Sequence, residues 1–174
     1  ESTIIDLTSD IPTLLRPGAV TLEMLRKICG RVDVDPAIEH LLTGSEAPKA
    51  PGMKYKHYAP KADMKLVRGD ESAVLRYMKD RIKDCDKPMA LLTVDEHKKD
   101  LEAEANGKKG INILSLGSIK NPSSIAHNLF DVLRKCDELG VEYILSEVFD
   151  ESGIGKAIMN RLKKAAGFEI IDLR

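Results

Sequence analysis

From residue 63 onward, short apolar runs alternate with longer segments of helical periodicity, and this alternation restricts the chain to a few architectures. Strands are expected over 64–67, 89–94, 111–114, 143–145 and 168–173. Between them, residues 71–83 place Val74, Leu75, Met78 and Ile82 at helical intervals. Residues 123–139 do the same with Ile125, Leu129, Val132, Leu133 and Cys136. Residues 155–166 add Ile158, Met159, Leu162 and Ala165, and the mostly charged stretch 95–105 supplies a helix of fainter amphipathicity. Strands separated by helices pair in parallel through right-handed crossovers. The expected fold of 63–174 is therefore α/β, a Rossmann-like or flavodoxin-like parallel sheet with helices on both faces.

The first 34 residues follow another pattern. Strands are expected over 3–7 and 13–16, the second closing at Pro17-Gly18, a turn signal. A short helix follows over 21–29, with Thr21 as its cap and Leu22, Leu25, Ile28 and Cys29 as its apolar residues. Two strands and one helix bury too little surface to close a core. The chain opens at Glu1, without a methionine and without a signal-peptide pattern, so residues 1–34 are expected to complete a domain whose larger part lies upstream. Residues 35–62 carry Pro36, Pro48, Pro51 and Pro60 with Gly44 and Gly52 and read as a linker.

Within that linker, residues 49–61 form a basic strap, Lys-Ala-Pro-Gly-Met-Lys-Tyr-Lys-His-Tyr-Ala-Pro-Lys, with no acidic residue between Glu46 and Asp63. Ammonium and imidazole groups attract phosphate, and tyrosines stack on bases or bond to anions, so Lys54, Tyr55, Lys56, His57 and Tyr58 suit a nucleotide. The competing reading is a solvated linker whose tyrosines pack on a neighbouring domain. Arg16, at a strand end beside a rigid turn, could grip phosphate in two-pronged fashion, although a strand-end arginine is commonly a surface residue. Ser2 and Thr3 offer hydroxyls, as many terminal turns do. Ser152-Gly-Ile-Gly155 follows a strand and opens a helix, the arrangement in which backbone amides meet phosphate, but it lacks the third glycine of a dinucleotide fingerprint. No carboxylate pair among Asp131, Asp137, Glu138, Glu142 and Glu147 can be set face to face for acid–base chemistry.

Lysine and arginine total 27 against 28 acidic residues, so any anion binding is local and not a property of net charge. Cys29, Cys85 and Cys136 are widely spaced and suit reduced thiols in a cytoplasm; they share no zinc-ligand spacing with His40, His57, His97 or His127. No apolar run approaches the roughly 18 residues of a membrane span, so no membrane role is expected.

Taken together, residues 1–6 (Glu-Ser-Thr-Ile-Ile-Asp), 15–18 (Leu-Arg-Pro-Gly) and 51–60 (Pro-Gly-Met-Lys-Tyr-Lys-His-Tyr-Ala-Pro) resemble the long form of the threonylcarbamoyl-AMP synthase family, as do residues 153–162 in the last helix. The resemblance implies a YrdC-like α+β catalytic domain ending at about residue 34, a linker over 35–62 and a Rossmann-like C-terminal domain over 63–174. It implies a nucleotidyltransferase that takes ATP, bicarbonate and L-threonine to threonylcarbamoyl-AMP and pyrophosphate, for threonylcarbamoyladenosine in transfer RNA. Mg2+ is expected with ATP, though no ligand for it is visible. By motif, Ser2 would meet threonine, Arg16 the ATP phosphates, and Tyr58 the nucleotide, with Lys54 and His57 beside it. The missing YrdC-like region in cis would supply the rest of the site, and other tRNA-modification proteins are possible partners. Residues 1–174 alone are expected to be inactive. Two other readings stand beside this one: a nucleotide- or RNA-binding regulatory module acting through Gly153 and Gly155, and an interaction surface for self-association.

Overall fold

The computed structural model describes residues 2–40, 49 and 59–173. Five parallel strands, β4 (Asp63–Arg68), β5 (Met89–Thr93), β6 (Ile111–Ser115), β7 (Tyr143–Glu147) and β8 (Ile170–Asp172), form the larger sheet. They alternate with α2 (Glu71–Asp84), α3 (Asp95–Ala105), α4 (Pro122–Glu138) and α5 (Gly155–Ala165). The α/β class, the parallel sheet and the helices on both faces agree with the alternation read in the sequence. The spatial order is β6-β5-β7-β4-β8, so β7 is inserted between β4 and β5, which succeed each other in the chain.

Side-chain alternation along the strands builds two cores. Met64, Leu66, Ala90, Leu92 and Ile144 face α4 and α5 and pack with Ile125, Leu129, Ile158 and Leu162. Val67, Met89, Leu91 and Leu145 face the other way, onto Val74, Met78 and Ile82 of α2 and Leu101 of α3. Every residue of β5 is buried, which is why Met-Ala-Leu-Leu-Thr reads as a continuous apolar run in the sequence. Asp70 caps α2 by accepting from the Ala73 amide at 3.0 Å, and Pro122 opens α4, where its missing amide hydrogen costs no helical bond.

The N-terminal unit is a three-stranded sheet, β1 (Ile4–Asp6), β2 (Thr13–Arg16) and β3 (Asp33–Val34), in the order β1-β2-β3. β1 runs antiparallel and β3 parallel to the central β2. Helix α1 (Leu22–Cys29) begins where the sequence places it, with Thr21 Oγ1 accepting from the Met24 amide at 3.3 Å. None of its residues is buried, and Met24 and Ile28 lie exposed. The proline-rich stretch after β3 starts with one turn of 3-10 helix (Pro36–Ile38), capped by the Asp35 carboxylate, which accepts from the Ala37 amide at 3.0 Å. Ala37 packs with Leu15, and Ile38 with Leu14 and Val32.

That 3-10 turn joins the two units. Asn160 of α5, itself buried, donates to the Ile38 carbonyl at 3.0 Å. Glu39 accepts from Lys156 Nζ at 2.8 Å and from Lys163 Nζ at 3.1 Å, and Lys163 also reaches Glu151 at 2.7 Å. Residues 156, 160 and 163 fall on one stripe of α5, so a single helical face grips the turn. Burial alone would raise the Glu39 carboxyl, but the two lysines outweigh it and hold the group below its usual range. Burial works against the Lys163 ammonium as well, and Glu151 and Glu39 reverse it, leaving the group above its ordinary value.

Candidate functional site at the seam of the two units

Of the residues singled out in the sequence, Ser2 and Arg16 come together. Antiparallel pairing sets Ile4 opposite Arg16, and the Arg16 Nε donates to the Ser2 carbonyl at 2.9 Å. Thr3 Oγ1 donates to the Val20 carbonyl at 2.8 Å and accepts from the Val20 amide at 3.1 Å, which ties the turn after β2 to the β1 strand. Pro17 and Gly18 are buried, and the half-buried Arg16 sits at the edge of this braced corner. Lys54, His57 and Tyr58 lie outside the described residues.

Beside the corner is a cavity of about 270 Å³, shared by the two units. Pro17, Gly18 and Ala19 line one side; Ser123, His127 and Phe130 of α4 and Arg161 of α5 are among the residues lining the other. The Arg161 guanidinium lies 4.7 Å from the centre of the Phe130 ring, a cation–π contact that fixes its direction. Burial pulls Arg161 down to about 10. One position round the turn from the Glu39 clasp, Lys164 is only 8% exposed. Burial first, then repulsion from Arg161 and Arg16, brings its ammonium down to about 8. Adjacent residues of α5 are thus shifted in opposite directions, Lys163 up by its carboxylate partners and Lys164 down, chiefly by burial.

The glycines before α5 have a backbone role. A Cβ on Gly155 would stand 1.9 Å from the Asp150 carbonyl oxygen, and Gly153 adopts φ +53°. The Asp150 carboxylate bonds to the Ser152 amide at 2.8 Å and also to the Ser152 hydroxyl, placing negative charge beside the helix start where the phosphate reading would seat another anion.

A second polar centre escaped the sequence reading, which found no acid–base pair involving Glu147. At the carboxyl ends of β5 and β7, buried Glu147 accepts from Thr93 Oγ1 and lies 3.0 Å from His97 Nδ1. His97 Nε2 lies 3.1 Å from Glu71 at the start of α2. Burial depresses the His97 imidazole, but its bonds to Glu147 and Glu71 prevail and raise it above the ordinary histidine value. The chain leaves β5 and β7 over opposite faces of the sheet, and such switch points are where open α/β sheets bind ligands. Here the side chains satisfy one another. The available signal was a polar residue, Thr93 or Glu147, ending each of two apolar strands.

Among the described residues no group of three or more His, Cys, Asp or Glu side chains is arranged to hold a metal ion, and no helix is long and apolar enough to cross a membrane.

Residues 20–167 match the family described as threonylcarbamoyl-AMP synthase, C-terminal domain. The threonylcarbamoyl-AMP synthase of Pyrococcus abyssi is 39% identical over 171 residues, covering 98% of this chain and 47% of that protein. Its counterpart in Bacillus subtilis is 34% identical over 171 residues, covering 98% and 46%. Among solved structures, P. abyssi Sua5 complexed with L-threonine superposes with a TM-score of 0.84 at 37% identity, covering 100% of this chain and 48% of that one. A P. abyssi Sua5 variant, in which alanine replaces a histidine and the tyrosine after it, gives 0.82 at 36% identity, covering 99% and 46%. The chain spans a little under half the length of these relatives.

Proposed function

Because this chain belongs to the threonylcarbamoyl-AMP synthase C-terminal-domain family, we propose that it works as part of an enzyme making threonylcarbamoyl-AMP from ATP, bicarbonate and L-threonine. The threonine nitrogen takes up carbon dioxide derived from bicarbonate, and an oxygen of the resulting carbamate attacks the α-phosphorus of ATP. The bond from that phosphorus to the bridging oxygen breaks, and pyrophosphate leaves. Such a transfer needs aligned reactants and neutralised phosphate charge, and no covalent protein intermediate. Arg16 meets the phosphates, Ser2 the threonine, and Tyr58 the nucleotide, with His57 and Lys54 beside it. Mg2+ arrives with ATP. A YrdC-like region in cis completes the site, and the product serves threonylcarbamoyladenosine formation in the cytoplasm, with other tRNA-modification proteins as possible partners.

The observation that carries this reading is the likeness, along the whole chain, to P. abyssi Sua5 solved with L-threonine. The contact from Arg16 to the Ser2 carbonyl adds to it, since it draws the proposed phosphate and threonine ligands into one corner. For the strap there is a further support: the sole His-Tyr step in this chain is His57-Tyr58, and a His-Tyr step is what was replaced in the P. abyssi variant. The test is threonine- and bicarbonate-dependent pyrophosphate release from ATP by the full-length protein. Arg16→Ala and Tyr58→Phe should each lower kcat/KM by about tenfold or more, the effect of losing one charge-assisted or oriented contact. Unchanged rates in both would overturn the assignment.

A further inference from the structure

We propose that Asn160 of α5 is a positioning residue for the reaction: through the 3-10 turn it fixes the strand end that carries Arg16, so the C-terminal unit sets where this arginine meets the phosphates. The inference rests on the reading of Arg16 as a phosphate ligand and gives the second unit a part in its placement.

The turn and the strand end are packed as one piece. The Asp35 amide donates to the Leu14 carbonyl at 2.9 Å, so the chain is still bonded to β2 as it enters the turn. Ala37 packs with Leu15 and Ile38 with Leu14, side chains that point to opposite faces of β2. All four residues are buried, and close-packed interiors pass a displacement on to their neighbours. Arg16 is the next residue of the strand, and its Nε donates to the Ser2 carbonyl at 2.9 Å. A shift of the turn is therefore a shift of the corner.

Asn160 holds that turn from the other unit. Ile158, Met159 and Leu162 fix α5 in the core of the larger sheet, and from this base Asn160, 5% exposed, donates to the Ile38 carbonyl at 3.0 Å. The last carbonyls of a helical turn have no partner within it, and an amide supplies the donor without bringing a charge into the buried seam. The ion pairs of Glu39 with Lys156 and Lys163 flank this bond, but the Glu39 side chain is 36% exposed and water weakens them. Direction and distance are set by the buried bond.

Units that share a modest interface ordinarily move against each other. Here a buried link falls on the turn that braces Arg16, and a displacement of about 1 Å in an aligned reaction can cost about a hundredfold in rate.

A double-mutant cycle on the full-length protein, read by calorimetry with inorganic pyrophosphate and with ATP, tests this. Asn160→Ala and Arg16→Ala should each weaken pyrophosphate binding by about tenfold. The double variant should bind no more than about twofold worse than Arg16→Ala, because Asn160 acts through Arg16. Affinity is the readout that matters, since partial unfolding lowers the number of sites titrated and leaves the affinity of the others as it was. Ile82→Val, which loosens the core on the far face of the sheet, should bind as the parent does. Glu39→Gln releases the same turn from the surface and should weaken binding by about threefold; it carries the test if Asn160→Ala does not fold. Losses that multiply in the double variant would place Asn160 apart from Arg16 and overturn the proposal. Parental affinity in Asn160→Ala, or in Glu39→Gln where Asn160→Ala does not fold, would overturn it too. Parental affinity in Arg16→Ala would remove the Arg16 reading and this one with it.

Discussion

His97 lies between two carboxylates that the chain brings from opposite directions, Glu147 at the end of β7 and Glu71 at the start of α2. Its folded-state value lies above the ordinary one, so proton uptake favours the folded state below the unfolded value of about 6.5. That contribution fades as pH rises through the folded-state value. Accordingly, the His97 ring should titrate above about 6.5 by NMR, and stability should fall across that range in the parent but not in His97→Gln. A midpoint at or below the peptide value would refute the linkage. Truncating Glu147 to Ala should destabilise by about 3 kcal/mol, the usual cost of breaking a buried ion pair from one side. At Gly155 the limit is steric. Alanine is favoured over glycine in helices by about 1 kcal/mol, yet Gly155→Ala should cost about 2 kcal/mol because the Asp150 backbone occupies the space. Gly153→Ala meets no atom within 4 Å and should cost about 1 kcal/mol for its left-handed backbone alone. Chemical denaturation of both variants checks the ranking, and a Gly155→Ala variant no less stable than Gly153→Ala would refute the steric account.

At the scale of elements, α5 carries three jobs on three faces. Ile158, Met159, Leu162 and Ala165 seal one core of the sheet; Lys156, Asn160 and Lys163 grip the 3-10 turn; Arg161 lines the cavity shared by the two units. The clasp gives a direct prediction. Asn160→Ala leaves the Ile38 carbonyl buried without its donor and should destabilise by about 1–3 kcal/mol. The loss should appear first in a probe of the N-terminal unit, such as amide exchange of Val34 and Ile38, while β5 keeps its protection. Uniform loss across both units would show instead that they unfold as one. The Glu39 ion pairs add less than their number suggests, because Glu39 is 36% exposed and water screens it.

For the whole molecule, the parts legible in the sequence are those set by local pattern. The alternation of short apolar runs and helical segments located the five strands and four helices of the larger unit, down to the faint α3 helix, because the burial of an element is written in the spacing of its own apolar residues. Thr21 marked a helix start through short-range capping. Ser2 and Arg16 entered through motif resemblance, and their contact follows from the pairing of neighbouring strands. Other features were settled by tertiary structure alone. The insertion of β7 between β4 and β5 depends on where each crossover helix packs, a choice that many strand orders satisfy with the same alternation. His97 meets Glu147 across 50 residues, and Lys164 comes under the influence of Arg16, only once the sheet is assembled and α5 docks on the 3-10 turn. Periodicity reports how much of a side chain is buried; it carries no record of which distant charge that burial places beside it.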